Sequence, residues 1–282
     1  MMVSRASRHG GFVVGMTTLL LATAPACGGD EKKGTEEGGA CSKGGRTGDA
    51  QETVMVGAAT RSYFVHVPAA AASKSVALVL AFHGDGGNGT SFRDGFEIEA
   101  QTKDDAIVVY PDAQGSGKSF DDLTQGEANQ DVALYDAIVA KFQESHCVTR
   151  TFAFGHSRGA YFTNHLACYR GSKLAAIAAH SGGGPHAAPY KDAKLSCPDL
   201  PTASMVIHGL ADGEVAPSEG QKSLAQWSRT LSCAATTNDI QPSPCVAYEG
   251  CTKPLKSCWI PGLGHGLWDK AAETTWSFFK AQ

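Results

Sequence analysis

At 282 residues, with 42% apolar side chains and a formal charge of −4, the chain suits one globular domain of roughly 200–250 residues plus accessory sequence. Its mild acidity excludes nucleic acid as a leading partner, because phosphate binding calls for clustered Lys and Arg. The sequence contains no internal repeat.

The chain opens with Arg5, Arg8 and His9 ahead of the apolar run "GFVVGMTTLLLATAPA", which is short for a membrane span and ends in small residues. Residues 1–26 are therefore expected to be a secretory signal peptide. Ala24-Pro25-Ala26-Cys27 resembles a bacterial lipobox, with Ala24 where a larger apolar residue is usual, and makes Cys27 the expected site of lipidation. Residues 28–51, "GGDEKKGTEEGGACSKGGRTGDAQ", have too few apolar side chains to offset their ordering entropy and read as a flexible tether. The expected plan is thus a signal peptide over 1–26, a lipidated cysteine and tether over 27–51, and a folded domain over 52–282. The protein would be exported, and would meet a membrane only through lipid on Cys27; the alternative is an ordinary signal peptide, a free Cys27 and a secreted protein.

Nine cysteines are present. With Cys27 lipidated, the remaining eight have even parity and are all able to pair in an oxidising compartment, although the sequence does not choose their partners and Cys41, inside the tether, is a candidate free thiol. No Cys/His spacing matches a zinc site, so no metal is expected.

In the folded part, "SYFVHVP" (62–68), "SVALVLAF" (75–82), "AIVVYP" (106–111), "TFAFG" (151–155), "AAIAAHSG" (175–182) and "SMVIHG" (204–209) are short apolar runs of the kind buried strands use. Between them, residues 129–146 place Val132, Tyr135, Ile138, Val139 and Phe142 at helical spacing. Residues 158–170 and 218–231 are further helix candidates, and the last segment fits a helix capped by Asp269. This alternation predicts an α/β fold, a mostly parallel central sheet with helices on both faces, whose active site lies beyond the carboxyl ends of the strands.

Gly155-His156-Ser157-Arg158-Gly159 is a G-x-S-x-G pattern between a strand and a helix, the setting in which a tight turn exposes a nucleophilic serine. A serine hydroxyl needs a base, and the base needs an orienting acid; on this architecture they follow in the order Ser, acid, His. Of the later histidines, His165 falls inside a helix and His180 and His208 at strand ends. His186 is another, but His265 lies in the glycine-rich loop "PGLGHGLWD" and is the candidate base. Asp212, shortly after the strand at 204–209, is the candidate acid, with Glu214 its nearest rival. Glycines in "AFHGDGGNG" (81–89) allow backbone donors to face the site, so the N–H groups of Asp85 and Arg158 are the expected oxyanion hole, at about 3–4 kcal/mol per donor. The Asp85 carboxylate would repel an oxyanion unless turned away. Tyr110, Phe120, Tyr161 and Trp268 are candidates for an aromatic substrate wall, with core packing the competing use.

Taken together, "FHGDGGN", "GHSRGA", "HGLADGEVAP" and "GLGHGLW" resemble the esterase family that includes extracellular polyhydroxybutyrate depolymerases, feruloyl esterases and acetylxylan esterases. The resemblance covers roughly residues 55–282. It implies an α/β-hydrolase fold and a serine carboxylesterase without a cofactor, acting on an ester substrate that can be polymeric. The family's nucleophile falls on Ser157, its acid on Asp212, its base on His265 and its first oxyanion loop on His83 to Gly87. Arg158 departs from the Asn or Gln often found there and adds a cation beside the nucleophile, a candidate influence on which acids are accepted. A serine peptidase, or a non-catalytic polymer-binding surface lipoprotein, are the competing functions. For the leader, Cys27→Ser is expected to move the protein from the membrane fraction to the soluble fraction; an unchanged membrane fraction contradicts lipidation.

Overall fold

The computed structural model describes residues 11, 41, 43–186 and 197–282. The chain divides into two units, Met1–Glu37 and Gly38–Gln282, and the fold is that of the second. Cys27 and, apart from Gly11, the expected signal peptide over 1–26 lie outside the described residues. No helix among the described residues is long and apolar enough to cross a membrane.

Ten strands form one sheet: β1 (Gly48–Val56), β2 (Ala59–Val67), β3 (Val76–Phe82), β4 (Ala106–Pro111), β5 (Val148–His156), β6 (Ala176–His180), β7 (Ala203–Gly209), β8 (Thr237–Ile240), β9 (Cys245–Tyr248) and β10 (Leu255–Ile260). Their spatial order is β1-β2-β4-β3-β5-β6-β7-β10-β9-β8. The six strands β4, β3, β5, β6, β7 and β10 run parallel, while β1, β2, β9 and β8 join antiparallel at the two edges.

Among the described residues six α-helices complete the fold: α1 (Gly89–Phe96), α2 (Glu99–Thr102), α3 (Gln130–Ser145), α4 (Arg158–Arg170), α5 (Pro217–Thr230) and α6 (Ala271–Lys280). The period-two geometry of β3 explains why its sequence is apolar throughout. Leu78, Leu80 and Phe82 point into one core with Val132, Tyr135 and Ile138 of α3, Phe162 and Leu166 of α4, and Trp227 of α5. Ala77, Val79 and Ala81 point into the other with Phe92 and Phe96 of α1 and Phe278 and Phe279 of α6. Helices thus cover both faces, as the alternation predicts. Strand order reverses at β3, whose neighbours are β4 and β5, so a crevice opens beyond its carboxyl end.

The boundaries need three corrections. The fold begins earlier than residue 52: β1 starts at Gly48, inside the expected tether, and Cys41 is bonded to Cys147. β1 escapes a hydrophobicity reading because it is an edge strand with alternate residues in water, held by its ladder to β2 and by links such as Arg46–Glu52 at 2.7 Å. The last helix starts after Lys270, which makes no side-chain cap, so Asp269 is not its N-cap. By contrast, Asn129 caps α3 through Oδ1, which accepts from the amides of Asp131 and Val132.

The other six cysteines among the described residues pair as Cys168–Cys197, Cys233–Cys251 and Cys245–Cys258. Cys41–Cys147 spans 106 residues, the longest separation of the four, and so constrains the unfolded chain most. Replacing both cysteines by serine is expected to cost about 2–4 kcal/mol in urea unfolding; an unchanged midpoint would show that this bond contributes nothing.

Candidate active site

Ser157 sits between β5 and α4 with φ 55° and ψ −122°, a strained conformation for a residue with a side chain. Two close approaches enforce it. A Cβ on Gly159 would lie 2.0 Å from the Phe82 carbonyl oxygen, and one on Gly155 would lie 2.3 Å from the Gly159 carbonyl. Only glycines let α4 start so near β3 and β5. The Ser157 amide donates to His180 O at 2.9 Å, fixing the turn to β6.

His265 is carried by the loop between β10 and α6, and its Nε2 lies 2.9 Å from Ser157 Oγ. Its Nδ1 lies 2.8 Å from Asp212 Oδ2, so the protonated nitrogen faces the acid and the bare one faces the serine hydroxyl. Asp212 follows β7 and is buried. Its Oδ1 accepts from the amides of Glu214 (3.0 Å) and Val215 (2.9 Å). Burial pushes the Asp212 carboxyl up, but the His265 bond and these two amides outweigh it and hold the group below its ordinary value. Glu214, the rival acid, is exposed on the rim of the cleft and contributes its amide to Asp212.

Three further histidines that the motifs do not single out brace these groups. His208 Nε2 donates to Val215 O at 3.0 Å and lies 3.3 Å from Asp212 Oδ2. His156, beside the serine, donates from Nε2 to the His265 carbonyl at 2.9 Å, holding the loop that carries His265. Burial, then the nearby charge of His265, push His156 down to about 4, so it remains neutral. His83 donates from Nδ1 to Gly84 O at 2.7 Å and accepts the Ala113 amide on Nε2 at 3.1 Å. Burial pushes His83 down as well.

Gly84 O also accepts from the Gly87 amide, at 3.2 Å. Because a trans peptide directs its C=O and N–H in opposite senses, these bonds fix the direction of the Asp85 N–H. Gly84 packs directly on Ser157: a Cβ there would be 3.1 Å from Ser157 Cβ. Among the described residues, no group accepts the N–H of Asp85 or of Arg158. The Asp85 carboxylate accepts from Ser119 Oγ at 2.6 Å and from Arg158 Nε at 3.3 Å to each oxygen. Arg158 Nη1 also bonds Asp122 Oδ1 at 2.9 Å, so the cation beside Ser157 is paired with two carboxylates.

These groups open into a cleft of about 570 Å³ lined by Gly84, Asp85, His156, Ser157, Arg158, Tyr161, His186, Glu214, Val215 and His265. Of the expected aromatic wall, Tyr161 alone lines it, stacked on His186 with centroids 5.0 Å apart and planes at 15°. Tyr110 is corrected: it is fully buried on β4 in the core, where the two-face packing of a parallel strand leaves no path to the cleft. Phe120 stacks on Phe162 inside the opposite core. Trp268 packs partly buried against the α6 side and is not among the lining residues. Of the remaining histidines, His180 bonds Thr275 Oγ1 at 3.0 Å and His165 lies 3.3 Å from Asn129 Nδ2, both away from the serine. Among the described residues no group of three or more His, Cys, Asp or Glu is arranged to hold a metal ion.

Eight strands in the order β1-β2-β4-β3-β5-β6-β7-β10, a serine on a strained strand-to-helix turn, and an acid and a histidine on the loops after β7 and β10 define an α/β-hydrolase. No family model matches the chain. Feruloyl esterase C of Emericella nidulans is 30% identical over 229 residues, covering 74% of this chain and 79% of that protein. A probable feruloyl esterase C of Aspergillus clavatus is 28% identical over 230 residues, 72% and 77% of the two chains. The chain belongs to the feruloyl esterase C family, and so to the carboxylic-ester hydrolases of this superfamily. The acetyl xylan esterase of Aspergillus awamori shares the fold, with a TM-score of 0.67 and 15% identity over 82% of this chain and 99% of that one. A ferulic acid esterase of Anaeromyces mucronatus does so at a TM-score of 0.57 and 15% identity over 89% and 93%.

The buried imidazoles make stability depend on pH. His156 is held at about 4 and His180 at about 3, the latter by complete burial and then the charge of His156. Both lie below the ordinary histidine value of about 6.5. Between pH 6.5 and 4 the unfolded chain therefore binds protons that the native chain refuses, so stability falls as pH falls through that window. Urea unfolding at pH 7 and pH 4.5 is expected to differ by about 5 kcal/mol, roughly half from each imidazole, and His180→Gln should flatten the slope. A stability that stays level to pH 4.5 would contradict buried neutral imidazoles.

Proposed function

We propose that the protein hydrolyses carboxylic esters of hydroxycinnamic acids by acyl transfer, with Ser157 as nucleophile, His265 as general base and acid, and Asp212 as the orienting acid. The observation that carries this reading is the unbroken line from Ser157 Oγ through His265 Nε2 (2.9 Å) and Nδ1 to Asp212 Oδ2 (2.8 Å). Ser157 Oγ attacks the ester carbonyl while its proton passes to His265 Nε2, and Asp212 stabilises the imidazolium. The carbonyl oxygen becomes an oxyanion facing the N–H groups of Asp85 and Arg158. Collapse breaks the ester C–O bond, and His265 returns its proton to the departing alcohol. Water then gives a proton to His265 and its oxygen to the acyl carbon, releasing the acid and restoring the serine hydroxyl.

Two observations support an aromatic acyl group: the names of the family's members, and the stacked Tyr161–His186 pair on the cleft wall, a flat surface suited to a phenyl ring. A polymeric alcohol portion is compatible with a cleft that is open to solvent. The four disulfides support export, in keeping with a signal peptide over residues 1–26 and lipid on Cys27.

Ser157→Ala is expected to lower kcat/KM on methyl ferulate by at least ~10⁴-fold and to abolish fluorophosphonate labelling with the fold intact; Asp212→Asn should cost about 10⁴-fold in kcat. Ester hydrolysis by Ser157→Ala within tenfold of wild type would overturn the reading, and cleavage of peptides in preference to esters would replace it with a peptidase.

A further inference from the structure

We infer that the Asp85–Arg158 ion pair is a positioning clamp: it ties together, through their side chains, the two residues whose backbone N–H groups face the developing oxyanion. The inference rests on the acyl-transfer reading of the site. Asp85 belongs to the loop after β3 and Arg158 to the first turn of α4, so their amides come from separate segments whose spacing no single element sets. Arg158 Nε reaches both Asp85 oxygens at 3.3 Å. Each partner is anchored behind: Asp85 by Ser119 Oγ at 2.6 Å, Arg158 by Asp122 Oδ1 at 2.9 Å. Asp122 is buried and has His186 Nε2 at 2.9 Å, so Arg158 is drawn to a carboxylate that cannot turn to water. The cation also lies over the Tyr161 ring, 5.7 Å from its centroid.

Stability does not account for the pair. With side chains 51% and 32% exposed, Asp85 and Arg158 form a surface ion pair, which contributes little to folding. Its effect is on geometry, where small displacements of oxyanion donors carry large rate penalties. It also accounts for the acidic residue at this place: neutralised by Arg158 and turned onto Ser119, the carboxylate serves the site instead of opposing the oxyanion.

The sign of one substitution separates clamp from bystander. Were Asp85 only a negative charge beside the oxyanion, Asp85→Ala would raise kcat. For a clamp, Asp85→Ala leaves the backbone N–H present but unheld and lowers kcat on methyl ferulate ~10-fold, with KM and the thermal midpoint unchanged, because the interaction lost exists only in the transition state. Arg158→Gln should lower kcat similarly, Arg158→Lys should restore part of it, and the double variant Asp85→Ala/Arg158→Gln should be no worse than Arg158→Gln alone. If Arg158→Gln fails to fold because Asp122 loses its cation, Asp85→Ala and Asp85→Asn decide the matter. A kcat for Asp85→Ala within threefold of wild type or above it, a loss matched in KM or in melting temperature, or additive losses in the double variant would overturn the clamp. An active Ser157→Ala sinks the hydrolytic reading; an inactive Ser157→Ala with an unimpaired Asp85→Ala sinks only the clamp.

Discussion

The site depends on how closely the first turn of α4 approaches the end of β3. A side chain at Gly159 would run into Phe82 O, and that contact draws the start of α4 down onto the sheet. The chain leaving β5 must then turn within one residue, which puts Ser157 at φ 55° with its hydroxyl standing above the strands. The same approach brings Gly84 against Ser157 and places Arg158 within reach of Asp85. The exposed Ser157 hydroxyl and the neighbouring Asp85 and Arg158 segments are brought together by one packing contact, which is why a glycine two residues after the serine matters to the site as much as the serine itself.

The strands that build this contact were plain in the sequence because both their faces are buried, leaving near-continuous apolar runs at β3, β4, β6 and β7. The edge strands were not. In β8 three of four residues are exposed, and β1 alternates with polar residues facing water, so neither carries a hydrophobic signal. That Ser157, Asp212 and His265 come together was legible because each follows a recognisable strand or sits in a glycine-rich loop.

The groups around them were hidden for a different reason. His156 bonds the carbonyl of a residue 109 positions away and His83 the amide of Ala113, 30 positions away, and no local pattern marks such bonds; His208 bonds the nearer Val215 carbonyl, but only from within the folded loop after β7. The aromatic wall fails as a group for the same cause: Tyr110 and Tyr161 look alike in the sequence, yet one is on a strand covered on both faces and the other on the exposed side of α4. Asp85 alone looked like a liability, and Arg158 like a cation that could influence which acids are accepted. Only their proximity makes them a pair.

Asp212 and His265 are placed by sheet register. β7 and β10 are parallel neighbours, with Gly209 opposite Ile260 at their carboxyl ends. From those paired residues the chain needs three steps to reach Asp212 and five to reach His265, and the Ala211 amide bonds Leu263 O at 2.9 Å to hold the two loops side by side. A slip of one residue would rotate every side chain of β10 to the opposite face and part the acid from the base. β10 is protected from such a slip on its outer side, where β9 pairs with it and Cys245 is bonded to Cys258 directly across the ladder. The β8–β9 hairpin, which adds two strands beyond the order the fold requires, thus has a definite use: it fixes the strand that delivers the histidine.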